Sequence, residues 1–151
     1  MGRSKYNVDQ NADGRTCDGI VFDSAIEMRY YQEVVLPGVE SGEITSFELQ
    51  KKYELQPAFQ HDAKKVQAIN YVADFVLTFA DGQIKVIDTK GFPDATAKLK
   101  RKLFWYHYPD LDYEWVSYSK IDGGWIEYGQ LQKNRLERKR NKHGRKQNDS
   151  I

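Results

Sequence analysis

Apolar residues recur at helical spacing at Ile26, Tyr30 and Val34, which predicts a helix that starts at Asp23 or Ser24 and runs to about Leu36, where Pro37-Gly38 stops it. Glu43 to Leu49 and Lys51 to Gln56 read as short extended pieces, the second limited by Pro57. Between Ile69 and Lys90, two runs rich in β-branched and aromatic residues flank Ala80-Asp81-Gly82, the pattern of a β-hairpin. Asp94 or Thr96 then caps a helix reaching about Tyr106, with Leu99, Leu103 and Tyr106 facing inward and Pro109 ending it. Tyr113 to Tyr118 reads as a further strand, Gly123-Gly124 as a turn, and Trp125 to Tyr128 as a short extended piece or the start of a final basic helix. The order αβββαβ plus a tail predicts an α/β domain with a sandwich-like layering. Residues 1–19 carry no periodicity and read as a flexible arm or irregular loop, which leaves a core of residues 20–131 and a tail of residues 132–151.

The length of 151 residues suits one domain, and 40% apolar content with three Trp, ten Tyr and seven Phe can build one core. No apolar run approaches the roughly 18 residues that span a bilayer, and no charged-then-apolar leader opens the chain, so a soluble, cytoplasmic protein with no membrane partner is expected. Cys17 is the only cysteine, which excludes an internal disulfide and a cysteine-based zinc or iron-sulfur site. The net charge of +1 conceals an asymmetry: residues 1–132 hold 15 Lys and Arg against 20 Asp and Glu, whereas residues 133–151 hold eight against two. Lys133, Arg135, Arg138, Lys139, Arg140, Lys142, Arg145 and Lys146 lack an apolar stripe and suit a polyanion such as DNA, or else a solvated terminus.

Two carboxylates interrupt apolar strands, Asp74 in Tyr71-Val72-Ala73-Asp74-Phe75-Val76 and Asp88 in Val86-Ile87-Asp88-Thr89-Lys90. A buried carboxylate must be paired, hydrogen-bonded or bound to metal, because desolvating it alone costs several kcal/mol. Asp88 and Lys90 share a strand face about 7 Å apart. A two-residue turn would leave Asp74 and Asp88 on opposite faces, whereas a three-residue turn, Ala80-Asp81-Gly82 with Gly82 left-handed, sets them opposite each other with Cα atoms roughly 4.5–5.5 Å apart. The three-residue turn is the expectation, with Val72, Val76, Ile84 and Val86 packed beneath the pair. Two carboxylates that close repel unless a cation lies between them, and hard oxygen ligands select Mg²⁺ or Mn²⁺ over zinc. Such a metal polarises a phosphodiester and activates water, which Lys90 would orient or deprotonate. The plainer alternative is an Asp88–Lys90 ion pair with Asp74 hydrogen-bonded locally.

Glu27 lies on the first helix three residues after Ser24, as a site residue or as the back-bonding half of a capping box. Gln56, beside Pro57 at a strand end, is placed to point at the same site or to sit on the surface. His61, His107 and His143 share no ligand spacing, and no phosphate loop, dinucleotide glycine motif or Gly-x-Ser-x-Gly elbow is present.

An acidic residue on a first helix, Asp74 in an apolar strand, a hairpin, then Asp88-Thr89-Lys90 and a basic helix resemble the PD-(D/E)xK nuclease superfamily, with Ala73 in place of the usual proline. The longer string Phe22-Asp23-Ser24 with Glu27 and Tyr30, Gln56-Pro57, Tyr71-Val72-Ala73-Asp74-Phe75 and Asp88-Thr89-Lys90-Gly91 is similar to a family of small phage-encoded proteins grouped with Holliday junction resolvases. The likeness covers about residues 20–106 and implies a restriction-endonuclease-like core, a mixed sheet flanked by helices. It further implies a Mg²⁺- or Mn²⁺-dependent endonuclease in which Asp74 and Asp88 bind metal, Thr89 offers its backbone carbonyl, Glu27 supplies a further ligand or second contact, and Lys90 positions the attacking water. Junction-cutting relatives work as homodimers, so the resemblance implies a homodimer as well. The favoured expectation is a structure-selective endonuclease for branched DNA, with Lys98, Lys100, Arg101, Lys102 and the basic tail gripping phosphates. A sequence-specific nicking or restriction-type nuclease and a non-catalytic DNA-binding module stand as alternatives.

Overall fold

The computed structural model describes residues 12–148; residues 1–11, most of the expected N-terminal arm, and residues 149–151 lie outside the described residues. Ala12–Arg15 forms one 3₁₀ turn, and β1 (Thr16–Cys17) pairs with β2 (Ile20–Val21) around Asp18-Gly19, both at positive φ. Residues 12–19 are therefore structured, where a loop or arm was expected: Cys17 and Ile20 pack against the core, and the Tyr31 hydroxyl donates to Asp18 at 3.1 Å.

The first helical run starts at the Ser24 cap and comprises α1 (Ala25–Tyr30), a π-helical stretch (Tyr31–Val35) and α2 (Leu36–Ser41). It passes the expected stop at Pro37. In the π stretch the Leu36 N–H bonds five residues back to Tyr31, so Pro37 falls in the first turn of a new helix, where its missing N–H costs little. Gly42, left-handed at φ 83°, ends the run.

The remaining elements are β3 (Ile44–Gln56), β4 (Phe59–His61), β5 (Lys64–Val66), β6 (Ile69–Phe79), β7 (Ile84–Thr89), α3 (Ala95–His107), β8 (Asp112–Ser119), β9 (Gly124–Glu127) and α4 (Tyr128–Asn148). Five strands form a mixed sheet in the order β3-β6-β7-β8-β9, parallel between β7 and β8 and antiparallel elsewhere; β4 and β5 make a separate small hairpin that the sequence reading lacks. A parallel neighbour needs a crossover, and α3 supplies it between β7 and β8. The fold is thus mixed α/β, a mixed sheet with helices packed on it.

Two buried clusters sandwich the sheet. Tyr30, Tyr31 and Val35 of the first helical run pack with Phe75, Leu77, Ile87 and Val116, and Phe104 of α3 packs with Tyr53, Tyr71, Val76 and Val86. Phe104, wholly buried, supplies the inward anchor of α3; Leu99 and Tyr106, expected inside, are 57% and 80% exposed, and Leu103 is partly buried. Of the four residues expected beneath the carboxylates, Val76 and Val86 are buried, while Val72 and Ile84 face solvent.

The β6–β7 turn has the expected three residues. The Phe79 N–H donates to the Gln83 carbonyl at 2.8 Å, Gly82 takes φ 88°, and Phe75 pairs with Ile87 and Val76 with Val86. That register runs straight toward Asp74 and Asp88.

The C-terminal tail is less detached than its charge suggests. Leu131 of α4 is buried, and Arg138 makes two hydrogen bonds, of 2.6 and 3.1 Å, to Asp122 in the β8–β9 turn. Those bonds, with others from Ser119 and Asn134, hold the Asp122 carboxyl below the usual range. Arg138 therefore ties α4 to the sheet rather than standing ready for a phosphate.

Candidate active site

β6 does not alternate regularly. Tyr71 and Ala73 belong to the α3-side cluster, but Phe75 and Leu77 belong to the opposite one, so the pleat reverses at Asp74. Its neighbour β3 reverses with it. Tyr53 and Leu55 pack on the α3 side, Phe47 and Leu49 on the other, and between them Gln50 adopts φ 54°. The two extended pieces expected around Gln50 are one strand with a left-handed residue at the junction, opposite Asp74 by the register on either side.

The β6–β7 ladder ends at Phe75–Ile87, and a side chain takes over from the backbone there. The Thr89 N–H and hydroxyl both donate to Asp74 Oδ2, at 2.8 and 2.9 Å. Thr89 is thereby held by Asp74, and next to it Lys90 is fixed by β8: its N–H donates to the Val116 carbonyl at 2.8 Å and its own carbonyl accepts from the Ser117 hydroxyl at 2.6 Å. The Lys90 ammonium lies 2.7 Å from Asp88 Oδ2. The plainer expectation, an Asp88–Lys90 ion pair and a locally bonded Asp74, is thus present as geometry.

Glu27 reaches this group from the opposite layer. It is both cap and neighbour: its N–H donates to Ser24 Oγ at 3.3 Å, the Ser24 hydroxyl donates to its Oε1 at 3.2 Å, and Gln50 Nε2 donates to its Oε2 at 3.1 Å. Glu27, Asp74 and Asp88 are all buried. Burial, then the charges of Asp23 and Asp88, pushes the Glu27 carboxyl up to about 7. Burial, then the charges of Asp88 and Glu27, holds the Asp74 carboxyl well above the ordinary range. Glu27 and Asp74 are thus both made harder to ionise by the neighbouring Asp88 charge.

Glu27, Asp74, Asp88, Thr89 and Lys90 are therefore brought together, and Gln56 is not. Gln56 pairs with Ile69 at the far end of β3, six residues beyond Gln50, a distance of about 20 Å along a strand. Gln50 is the glutamine that reaches the cluster. Its signal was present in the sequence as a polar residue at the break between two extended runs, which is where a strand reverses its pleat.

On the α3 side, Trp115 of β8 stands in register with Asp88 and is buried. Lys90 Nζ lies 5.4 Å from the centre of its indole, and Arg101 stacks over it. Of the basic residues expected at phosphates, Lys98, Lys102, Lys133, Arg135, Lys139 and Arg140 are exposed, whereas Lys100 and Arg101 are half-buried.

Among the described residues, no three histidine, cysteine, aspartate or glutamate side chains are grouped so as to hold a metal ion by themselves. The donor chemistry nevertheless suits a hard cation: Glu27, Asp74 and Asp88 are buried carboxylates, Asp88 is paired with Lys90, and magnesium ordinarily takes one or two carboxylates and keeps several waters.

The family model described as "Protein of unknown function (DUF1064)" matches residues 3–122. The chain belongs to this DUF1064 family. The matched stretch contains Glu27, Gln50, Asp74, Asp88, Lys90 and Arg101 and stops before β9 and α4, so the acid cluster lies within the DUF1064 region and the basic helix lies beyond it. Among curated proteins, none matches the chain. No helix among the described residues is long and apolar enough to cross a membrane.

Proposed function

We propose that this DUF1064 chain is a divalent-metal-dependent endonuclease with a restriction-endonuclease-like core that hydrolyses phosphodiesters in branched DNA. The observation that carries the reading is the convergence of Glu27, Asp74 and Asp88 with Lys90 where the β6–β7 ladder opens. A fold seldom retains three mutually repelling buried acids without a use for them. Asp74, Asp88 and the Thr89 carbonyl would hold Mg²⁺ or Mn²⁺, with Glu27 as a further ligand or as a contact to bound water. The ion would polarise the phosphate and lower the pKa of a water molecule.

The chain's own residues would do the rest. One N–H of the Lys90 ammonium is committed to Asp88, and the others are available to orient the attacking water. Glu27, with its carboxyl near 7, has the strength of a general base at neutral pH. The water oxygen adds to phosphorus as the bond to the leaving sugar oxygen breaks; Glu27 takes the water proton and the leaving oxygen receives one from solvent. Lys98 and Lys102 on α3 and Lys133, Arg135, Lys139 and Arg140 on α4 would contact phosphates without reading sequence. The preference for branches and a homodimeric assembly rest on the resemblance to junction resolvases.

A second reading has its own support. Asp88 is paired with Lys90 and Asp74 is satisfied by Thr89, so the cluster can persist without chemistry in a non-catalytic DNA-binding module. A labelled four-way junction and a linear duplex of the same sequence, each incubated with and without Mg²⁺, separate the two. We expect metal-dependent cleavage, at least about tenfold faster on the junction. A fixed cut sequence regardless of geometry would favour a restriction-type nuclease, and salt-sensitive binding with no cut strand would favour the binding module.

A further inference from the structure

Arg101 differs from the basic residues around it on α3. Its guanidinium carbon lies 3.9 Å from the centre of the Trp115 ring and 4.8 Å from that of Trp105, so the group is clasped by two indoles. Trp115 is the same residue that stands beside Asp88 and near the Lys90 ammonium. Stacking of this kind removes the freedom that a surface lysine keeps and fixes the plane of the guanidinium fork.

The clasp leaves a donor unused. Among the described residues, Arg101 Nε is buried and has no hydrogen-bond partner. The nearby Tyr113 hydroxyl already accepts from Trp115 Nε1 at 2.6 Å. The Tyr71 and Tyr113 hydroxyls interact with each other, and Tyr113 feels both Asp88 and Arg101. A guanidinium can only donate, so an orphaned Nε calls for an acceptor that the described residues do not supply.

We propose that Arg101 binds a non-bridging oxygen of the phosphate undergoing reaction. This rests on the nuclease reading and deepens it. Glu27, Asp74 and Asp88 suit a cation, while the unfilled Arg101 donor on the α3 side suits an anion, and a phosphodiester needs both at once. Arg101 is then a catalytic residue, distinct from Lys98 and Lys102, whose phosphate contacts only position the duplex.

Two measurements test it. In single-turnover cleavage at saturating junction DNA, R101A should be about 10²-fold slower, the usual loss of one preorganised donor, with DNA affinity changed less than about threefold. R101K, which keeps the charge and the stem and so guards against a folding defect, should recover less than about tenfold of that rate, because an ammonium cannot reproduce the planar fork. K102A should instead weaken binding and lessen its salt dependence. A wild-type rate in R101K, or a loss in R101A confined to affinity as in K102A, overturns the proposal. The second measurement needs no cleavage: inorganic phosphate titrated into the metal-free protein should change tryptophan emission saturably, and R101A should weaken this at least about tenfold. If the wild-type chain cuts nothing yet shows that Arg101-dependent response, the nuclease reading fails and the anion site stands. If phosphate gives no saturable change, the anion site fails whatever the cleavage result.

Discussion

Asp74→Asn is expected to slow metal-dependent cleavage of a four-way junction by about 10³-fold or more while raising the temperature at which the chain unfolds at pH 8. The two effects have one cause. An asparagine oxygen can still accept from the Thr89 N–H and hydroxyl, which lie 2.8 and 2.9 Å from Asp74 Oδ2, so the opening between β6 and β7 keeps its shape. What disappears is a buried charge that Asp88 and Glu27 repel. Losing that charge relieves the fold and deprives a cation of its ligand; a 10³-fold loss is about 4 kcal/mol of barrier, in keeping with the several kcal/mol that metal activation supplies. Single-turnover cleavage and a thermal melt of the same preparation check both halves. Wild-type cutting would remove Asp74 from the chemistry, and a lowered melting temperature would mean that the ionised acid is paired well enough to stabilise the fold.

Glu27 should give the chain a stability that falls as pH rises. Its carboxyl sits near 7 in the folded chain against an ordinary value of 4.5, chiefly through burial and then through Asp23 and Asp88. Between those values the folded chain retains a proton that the unfolded chain has released. The neutral form is therefore held without penalty below about pH 4.5, stability is lost progressively as pH rises toward 7, and the full cost of about 3 kcal/mol is reached above it. Urea unfolding at pH 5 and pH 8 should show this decline in the wild-type chain and a markedly smaller one in Glu27→Gln, which should be the more stable of the two at pH 8. Parallel curves for the two proteins would show that Glu27 ionises freely in the folded state.

These expectations depend on a register that was legible in the sequence. Ala80-Asp81-Gly82 is a turn whose chemistry dictates its length, because Gly82 can take the left-handed conformation that a three-residue connection needs. Residues far apart in the chain but tied by that turn, Asp74 and Asp88, are therefore set toward one another by the sequence itself. Glu27 was legible as a choice between cap and site, and it proves to be both cap and cluster member. Other features were hidden for physical reasons. Pro37 normally stops a helix, and nothing local announces the π stretch that lets the chain pass it. The inward face of α3 was misjudged because helical spacing favours Leu99 and Tyr106, whereas Phe104 is the buried anchor and the guanidinium of Arg101 stacks on Trp115. Gln56 was singled out and Gln50 was missed, because a pleat reversal moves a side chain to a face that period-two counting does not assign it. Arg138 read as one more cation of the tail because its partner, Asp122, lies in a turn that only the docking of α4 brings near.

The claim beneath all of this is that the buried acids are a divalent-cation site. Calorimetric titration of Mn²⁺ into the protein at pH 7, repeated in buffers of different ionisation enthalpy, addresses it without any nucleic acid. The account predicts a single saturable site, with protons released on binding because the raised carboxyls must ionise, and loss of that site in Asp74→Asn. Heats that stay at the level of dilution up to millimolar Mn²⁺, or the same binding with Asp74 replaced, would contradict it.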